Sequence, residues 1–458
     1  MTATLRPSKA AMRLSALYDP GTVAVSEPDG VSGVVTASGL VNGQPVLAFS
    51  QDVTVIGGSV GAVEGMQISD LQQKALELGV PIIGIWDGGG ARIQDGVSAL
   101  AQFGKIFSGN VAAAGKIPQL SLVLGTCAGG ACYSPALTDF VIMVTEQSRM
   151  FLTGPYITQE MTGEAATVEE LGGCQLHNQI SGVAHFAAAD EDAAIAYARE
   201  LLAFFSAPLP DSPKPPADNH TDDNPEQLPG IPLNPSQPYD VHALLANIFD
   251  KDTFLEVQPN FARNLVTGYA RLAGNPVAII ANQPTWLAGA LDTNAAKKAA
   301  RFVKTNTNYN LPIITIVDVP GFLPGVKQEG AGIITAGAEL VKAYANAKTK
   351  LVTLITRKAY GGAFIALGSK SISNAAVIAW PQAQIGVMDA EAAMALVHRR
   401  ELAAVAAAKG EAAVATTRTQ LAAEYRLAQS ADHAEAAGQV DSIVTPENTR
   451  AALIRSLQ

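Results

Sequence analysis

Two α/β domains of common ancestry, one in each half, are what the sequence predicts, and three observations predict them. At 458 residues the chain has room for two or three domains of roughly 100 to 200 residues each. Apolar residues make up 48% and charged residues only 16%, so much of the chain has to lie in cores or subunit interfaces. The sequence also repeats itself. PIIGIWDGGG from Pro81 resembles PIITIVDVPG from Pro312, which sets Asp87 and Asp318 231 residues apart.

The repeat extends both ways. GQPVLAFS from Gly43 pairs with GNPVAIIA from Gly274 at the same spacing, and Gly58 falls on Gly289. Downstream, AGGACYS meets YGGAFIA, with Gly129 and Gly130 against Gly361 and Gly362 at a spacing of 232. Short β-branched runs (VAII, IITIVDV, LVTLIT) alternate with helical stretches such as SDLQQKALELG and NAAKKAARFVKTN, the pattern of a covered βα sheet. Residues 207–238, rich in Pro, Asp and Asn, read as an extended linker between an N-terminal domain at 1–206 and a C-terminal domain at 239–458. The Ala-rich stretch ELAAVAAAKGEAAVATTRTQLAAEYRLAQ is helix-prone and is expected to pack on its neighbour.

A net charge of -10 argues against a sequence-independent grip on nucleic-acid phosphates. Anionic small molecules stay possible. Cys127, Cys132 and Cys174 form no CxxC pair, so they are expected to be reduced, partly buried thiols. No apolar run reaches the roughly 18 residues of a membrane span, and the first residues lack a signal-like apolar region. The expectation is a cytoplasmic protein with no membrane partner.

Each half places Gly-Gly-Ala directly after an apolar, strand-like run. Glycines there allow a tight strand-to-helix turn whose backbone N–H groups can converge on one oxygen, the geometry of an oxyanion hole. The other glycine blocks, GGSVGAVEG, DGGGARIQDG and DVPGFLPGVKQEGAG, contain no Walker A loop, and none is a GxGxxG opening a βα unit with an acidic partner. His177, His185, His220, His242, His398 and His433 form no metal-binding motif, so no metal is expected in this chain. Ser134 and Cys132 flank the first Gly-Gly, outside any GxSxG, and read as helix-start and packing residues. Lys297, Lys298, Arg301 and Lys304 share a helix and read as a solvated face.

GGARIQDGV from Gly89, AGGACYSPALTDF from Ala128, FLTGP from Phe151, SGVAH from Ser181, AARFV from Ala299, VDVPGFLPG from Val317 and RKAYGGAF from Arg357 stand in that order. Together they resemble the β-type carboxyltransferase subunits of biotin-dependent acyl-CoA carboxylases, of the actinobacterial acetyl-/propionyl-CoA kind. The resemblance covers nearly the whole chain. It implies two tandem crotonase-like domains (ClpP/crotonase superfamily) in a hexameric ring, with each active site between the N domain of one subunit and the C domain of another. In the N domain it implies that the amides of Gly129 and Gly130 receive the thioester oxygen, with Gly89, Gly90, Ala91, Arg92 and Ala128 on the acyl-CoA side. In the C domain it implies that the amides of Gly362 and Ala363 receive the ureido oxygen of biotin, with Phe322, Tyr360 and Gly361 beside it. Carboxybiotin on a separate carrier would supply CO₂ and take the α-proton, so no acid or base side chain is required.

The chain shows no biotinyl Met-Lys-Met and no ATP-binding module, so the resemblance implies a biotin carboxylase and a biotin carboxyl carrier as partners. It also lacks the four-cysteine zinc finger of the split bacterial type. In the family, substrate choice is associated with the position held here by Ile365, and an aliphatic residue there favours acetyl-CoA giving malonyl-CoA, with propionyl-CoA also accepted. The chain departs from the family pattern at Thr335, Ala336 and Glu339, which replace basic residues, and at Met66-Gln67-Ile68, which replaces Glu-Lys-Ile. The rival readings are a decarboxylase or transcarboxylase using the same two holes, a hydratase relying on Glu164 or Asp95, and an inactive paralogue serving as an assembly core.

Overall fold

The computed structural model describes residues 7–26, 32–205, 231–232 and 234–458. They fall into two units, Met1–Ser212 and Pro213–Gln458. Most of the stretch expected as a linker, with His220, lies outside the described residues. Its last residues are tied down inside the second unit, where the carbonyls of Pro232, Asn234 and Gln237 accept from Arg357 and that of Pro235 from Lys358.

The first unit holds an eight-stranded sheet of β1 (Ala24–Ser26), β2 (Val34–Val41), β3 (Gln44–Gln51), β4 (Ile82–Gly88), β5 (Gln119–Ala128), β6 (Phe140–Val144), β7 (Arg149–Phe151) and β8 (Phe186–Ala188). The order is β1-β2-β3-β4-β5-β6-β8, with β7 pairing the end of β5. The second unit repeats it with β9 (Leu255–Val257), β10 (Leu265–Leu272), β11 (Asn275–Asn282), β12 (Ile313–Val319), β13 (Leu351–Tyr360), β14 (Ala376–Ala379), β15 (Gln384–Gly386) and β16 (Ser442–Ile443). In both sheets the first three strands run antiparallel and the rest parallel. Every residue of β4 and of β12 is buried, as expected of parallel strands covered on both faces.

The duplication reaches individual hydrogen bonds. The β2–β3 hairpin turns through left-handed Asn42 and Gly43, the β10–β11 hairpin through left-handed Ala273 and Gly274, as a two-residue hairpin requires. Asp19 accepts from the amides of Asn42 and Gly43 at 3.1 and 2.8 Å, and Asp250 from those of Ala273 and Gly274 at 3.0 and 2.7 Å. Arg199 grips Asp19 and Arg450 grips Asp250, each at 2.7 Å.

One core gathers Phe49, Ile68, Trp86, Phe103, Ile106 and Val123. The other gathers Leu244, Ile248, Ile279, Ile316, Leu354 and Trp380. Each such side chain contributes about 1.5–3 kcal/mol by leaving water. The Ala-rich stretch forms helices Arg399–Lys409 and Glu411–Leu427, broken at left-handed Gly410. The second of them packs through Ala422 against Ala393 and Met394 of the helix Ala390–Val397.

Candidate active site

Strand β5 ends at Ala128 and β13 at Tyr360, and at each end the chain reverses into a helical turn. The reversing residues are Gly129 and Gly361, with φ of 63° and 61°. A Cβ on Gly361 would also lie 3.0 Å from the carbonyl oxygen of Val387, so only glycine fits without strain. Beyond them the backbone is open. A Cβ on Gly130 would meet nothing within 4 Å, and one on Gly362 would meet only the Phe322 ring, at 3.8 Å. The leading N–H groups of a helical turn have no acceptor within it, so they remain available to a ligand oxygen. The repeat makes Gly129 the counterpart of Gly361, and therefore Ala131 the counterpart of Ala363. Taking the two Gly-Gly pairs separately passes over this match; aligning AGGA on YGGA residue by residue finds it.

The two turns differ in their walls. Ala91 bridges Val60 where Phe322 bridges Leu291, so a methyl group in the first unit stands where the second has an aromatic ring. That ring packs over glycine, since a Cβ on Gly337 would come within 3.1 Å of it. The ring gives this turn a flat apolar wall beside its open amides. The methyl-lined turn leaves more space. At matching positions the helix after each turn presents Tyr133, 50% exposed, and Ile365, 43% exposed. Tyr360, which enters the second turn, donates from its hydroxyl to Gln384 Oε1 at 2.6 Å, and burial raises its pKa.

Gly89 and Gly90 hold the loop between Ile56 and Val60 in place, through Gly89 N–H to Gly57 O at 3.1 Å and Val60 N–H to Gly90 O at 2.8 Å. A Cβ on Gly90 would sit 2.5 Å from the carbonyl oxygen of Ala128, which fixes how closely this loop approaches the turn. Arg92 is engaged inside the unit. Its guanidinium donates to Glu64 Oε1 at 2.6 Å and to Ser59 O at 3.0 Å. Burial works against the Glu64 charge, but Arg92 and nearby backbone amides hold its carboxyl below the usual range.

Sequence reasoning missed a supporting amide in each unit. Gln51 accepts from Asp87 N–H at 2.9 Å and donates to Gly58 O at 2.9 Å. Asn282 accepts from Asp318 N–H at 3.2 Å and donates to Gly289 O at 2.9 Å. Each ties the end of a central strand to a left-handed loop, Ile56–Gly57 in one unit and Leu287–Ala288 in the other. Three of those four residues carry side chains, and such strain collects at functional sites. The signal was available in the repeat, because Gln51 and Asn282 are also 231 residues apart.

Several expectations are corrected or placed. Lys298 is not on a solvated face: it is 3% exposed, and its ammonium donates to the carbonyls of Gln258, Phe261 and Leu265 at 2.9, 2.9 and 2.7 Å. Lys297 and Lys304 are exposed and Arg301 is half-buried. Ser134 is buried and donates to Asn110 Oδ1, and the Cys132 thiol donates to the Cys127 and Phe151 carbonyls, so both are packing residues. All three cysteines are free and buried. Asp95 accepts from the amide of Ala62 at the start of the helix Ala62–Leu78, and Glu164 is exposed. Of the departures from the family pattern, Met66, Thr335 and Glu339 are exposed and Ala336 is buried.

The sequence matches the carboxyl transferase domain family over residues 25–458. It is 48% identical over 430 residues to the biotin-dependent acetyl-/propionyl-coenzyme A carboxylase beta5 subunit of Mycobacterium tuberculosis, a match covering 91% of this chain and 78% of that one. It is 44% identical to the methylmalonyl-CoA decarboxylase subunit alpha of Veillonella parvula, covering 93% and 81%. Among solved structures it superposes on transcarboxylase 12S, a hexamer assembly with methylmalonyl-coenzyme A bound, at a TM-score of 0.88 and 40% identity, covering 98% and 88%. With the tandem folds and paired glycine turns, these matches establish that the chain belongs to the carboxyl transferase family, as a biotin-dependent acyl-CoA carboxyltransferase of the beta-subunit type.

Proposed function

We propose that this chain transfers a carboxyl group between biotin and the α-carbon of a short acyl-CoA, acetyl-CoA giving malonyl-CoA by preference, with propionyl-CoA also accepted. The observation that carries the reading is the pair of open amide turns on duplicated sheets, one beside Ala91 and one beside Phe322. The amides at Gly129, Gly130 and Ala131 receive the thioester oxygen. Those of Gly362 and Ala363 receive the ureido oxygen of biotin, with the Phe322 ring as its flat wall. Each hole stabilises charge that develops only during reaction, and loss of one such donor costs about 2.7–4 kcal/mol. Biotin, when bound, supplies the carboxyl group and a basic atom for the α-proton. Gly89, Gly90 and Arg92 shape the acyl-CoA side by holding their loop against Ala128, and Ile365 lines the acyl end. The biotin comes on a carrier charged by a biotin carboxylase, and the chain works as a hexamer.

The test uses the purified full chain with malonyl-CoA or methylmalonyl-CoA and free biotin, following release of acetyl-CoA or propionyl-CoA. Biotin-dependent release is expected, with malonyl-CoA preferred. No release from a folded oligomer, even after carrier and biotin carboxylase are added, refutes the reading. Gly130→Pro and Gly362→Pro, each deleting one donor, should each abolish turnover in a protein that still assembles. The identity to a decarboxylase subunit favours a second reading in which the chain runs only towards decarboxylation. ATP, bicarbonate and the partner subunits would then give no net carboxylation.

A further inference from the structure

The repeat puts Asp87 and Asp318 at the same point of β4 and β12, and each meets a guanidinium. The guanidinium comes from a different place in each unit. In the second unit it belongs to the neighbouring strand β13, where Arg357 Nε donates to Asp318 Oδ2 at 2.8 Å. The matching position on β5 is Gly125, and a Cβ there would lie 2.0 Å from Asp87 Oδ1. The Asp87 carboxylate occupies the space where a side chain would start from β5, so the guanidinium comes instead from Arg13 of the helix Lys9–Leu17. Arg13 donates to Asp87 Oδ2 at 3.0 Å, to Leu124 O at 3.0 Å, and to both oxygens of Glu191 at 2.7 and 2.8 Å. It is 4% exposed. Lys9 and Gln147 also reach Glu191, at 3.0 and 2.7 Å. Burial alone would raise the Glu191 pKa, but these donors hold it down to about 2.

We propose that Arg13 is the positioning residue of the first glycine turn, a role that rests on the two-hole reading above. Both arms of that hole begin at atoms the guanidinium grips. Asp87 leads directly into Gly88–Gly90, and Leu124 lies four residues before Ala128 on the strand that delivers the turn. A rigid, multidentate guanidinium fixes the two strand ends relative to each other. Without it the buried Asp87 carboxylate loses its cationic partner, Glu191 keeps only Lys9 and Gln147, and the strand ends relax. A misplacement of about 1 Å costs on the order of 10²-fold in rate. Arg357 plays the matching part for the second turn, so lesions at the two arginines separate by substrate.

The experiment measures steady-state decarboxylation of malonyl-CoA and methylmalonyl-CoA by the full chain with free biotin, varying each substrate in turn. For Arg13→Met, kcat/KM for the acyl-CoA should fall on the order of 10²-fold, with the KM for biotin unchanged. Arg357→Met should show the opposite split, and Arg13→Lys should recover part of the loss. If Arg13→Met shifts both substrates alike, or only melts earlier with its kinetics intact, Arg13 is merely structural and the proposal is overturned. Should Arg13→Met fail to fold, Arg13→Lys decides: an acyl-CoA shift without a biotin shift supports the role, and wild-type kinetics overturns it. A silent wild type fails the two-hole reading itself. Calorimetric binding of malonyl-CoA then judges Arg13 separately, with equal affinity in wild type and Arg13→Met overturning its role.

Discussion

At the scale of single residues, Lys298 shows how far two adjacent lysines can differ. Neighbouring positions on a helix point about 100° apart, so Lys297 reaches water while Lys298 enters the interior beside Ala295, Ala299 and Phe302. Its amino group there holds the loop between β9 and β10, which passes through left-handed Gln258 and Ala262. Replacing it with methionine leaves three carbonyls without their donor, at about 1–3 kcal/mol for each group left unsatisfied. Lys298→Met should lower the melting temperature. Burial pushes the Lys298 pKa down from 10.5 to about 7, so between those values the unfolded chain holds a proton that the folded chain has released. The Lys298 contribution to stability should therefore rise with pH across that window. Denaturant titrations at both ends of it should show the stability difference between wild type and Lys298→Met widening with pH.

At the scale of elements, His242 fastens the helix Val241–Ile248 to β9, with Nε2 2.9 Å from Glu256 and Nδ1 2.6 Å from Asp240. The bond to Glu256, helped by Asp240, raises its pKa from 6.5 to about 9. The sign follows from linkage: the stabilisation is complete below pH 6.5 and fades as pH rises through about 9. Because the side chain is 40% exposed, the effect is screened to about 1 kcal/mol or less. The gap in melting temperature between wild type and His242→Ala should shrink on going from pH 6 to above the raised pKa, and a constant gap would contradict the charge assignment.

Elements were also where the sequence was most legible. Blocks such as PIIGIWDGGG and PIITIVDVPG identify their strands and glycine turns by internal comparison, without any outside reference. The ties between blocks were not legible, because they join residues distant in sequence. The Asp19–Arg199 and Asp250–Arg450 pairs, and the reach of Arg13 to Asp87, depend on tertiary placement that no local pattern encodes.

At the scale of the molecule, each unit carries exposed apolar side chains in and just after the glycine block that follows its central strand, β4 or β12. Ile93 and Val97 are 90% and 79% exposed, Val326 and Ile334 90% and 75%. Exposed apolar side chains spaced this closely along the chain fit a subunit interface, which the proposed hexamer would supply. Sedimentation should give a hexamer, and Val97→Asp or Ile334→Asp should yield smaller species. A monomeric wild type would remove the assembly from the proposed function. The crossing of backbone at Gly58 and Gly289 has a further consequence for variation along the chain. A Cβ there would lie 2.3 and 2.7 Å from the carbonyl oxygens of Asp87 and Asp318. Their neighbours Gly57 and Ala288 share the left-handed backbone, and Gly57 faces open space. A saturation-mutagenesis map of fitness should therefore show two glycine-only columns at 58 and 289. The adjacent columns at 57 and 288 should accept alanine and asparagine, a signature of the ancestral duplication written in tolerance rather than in sequence.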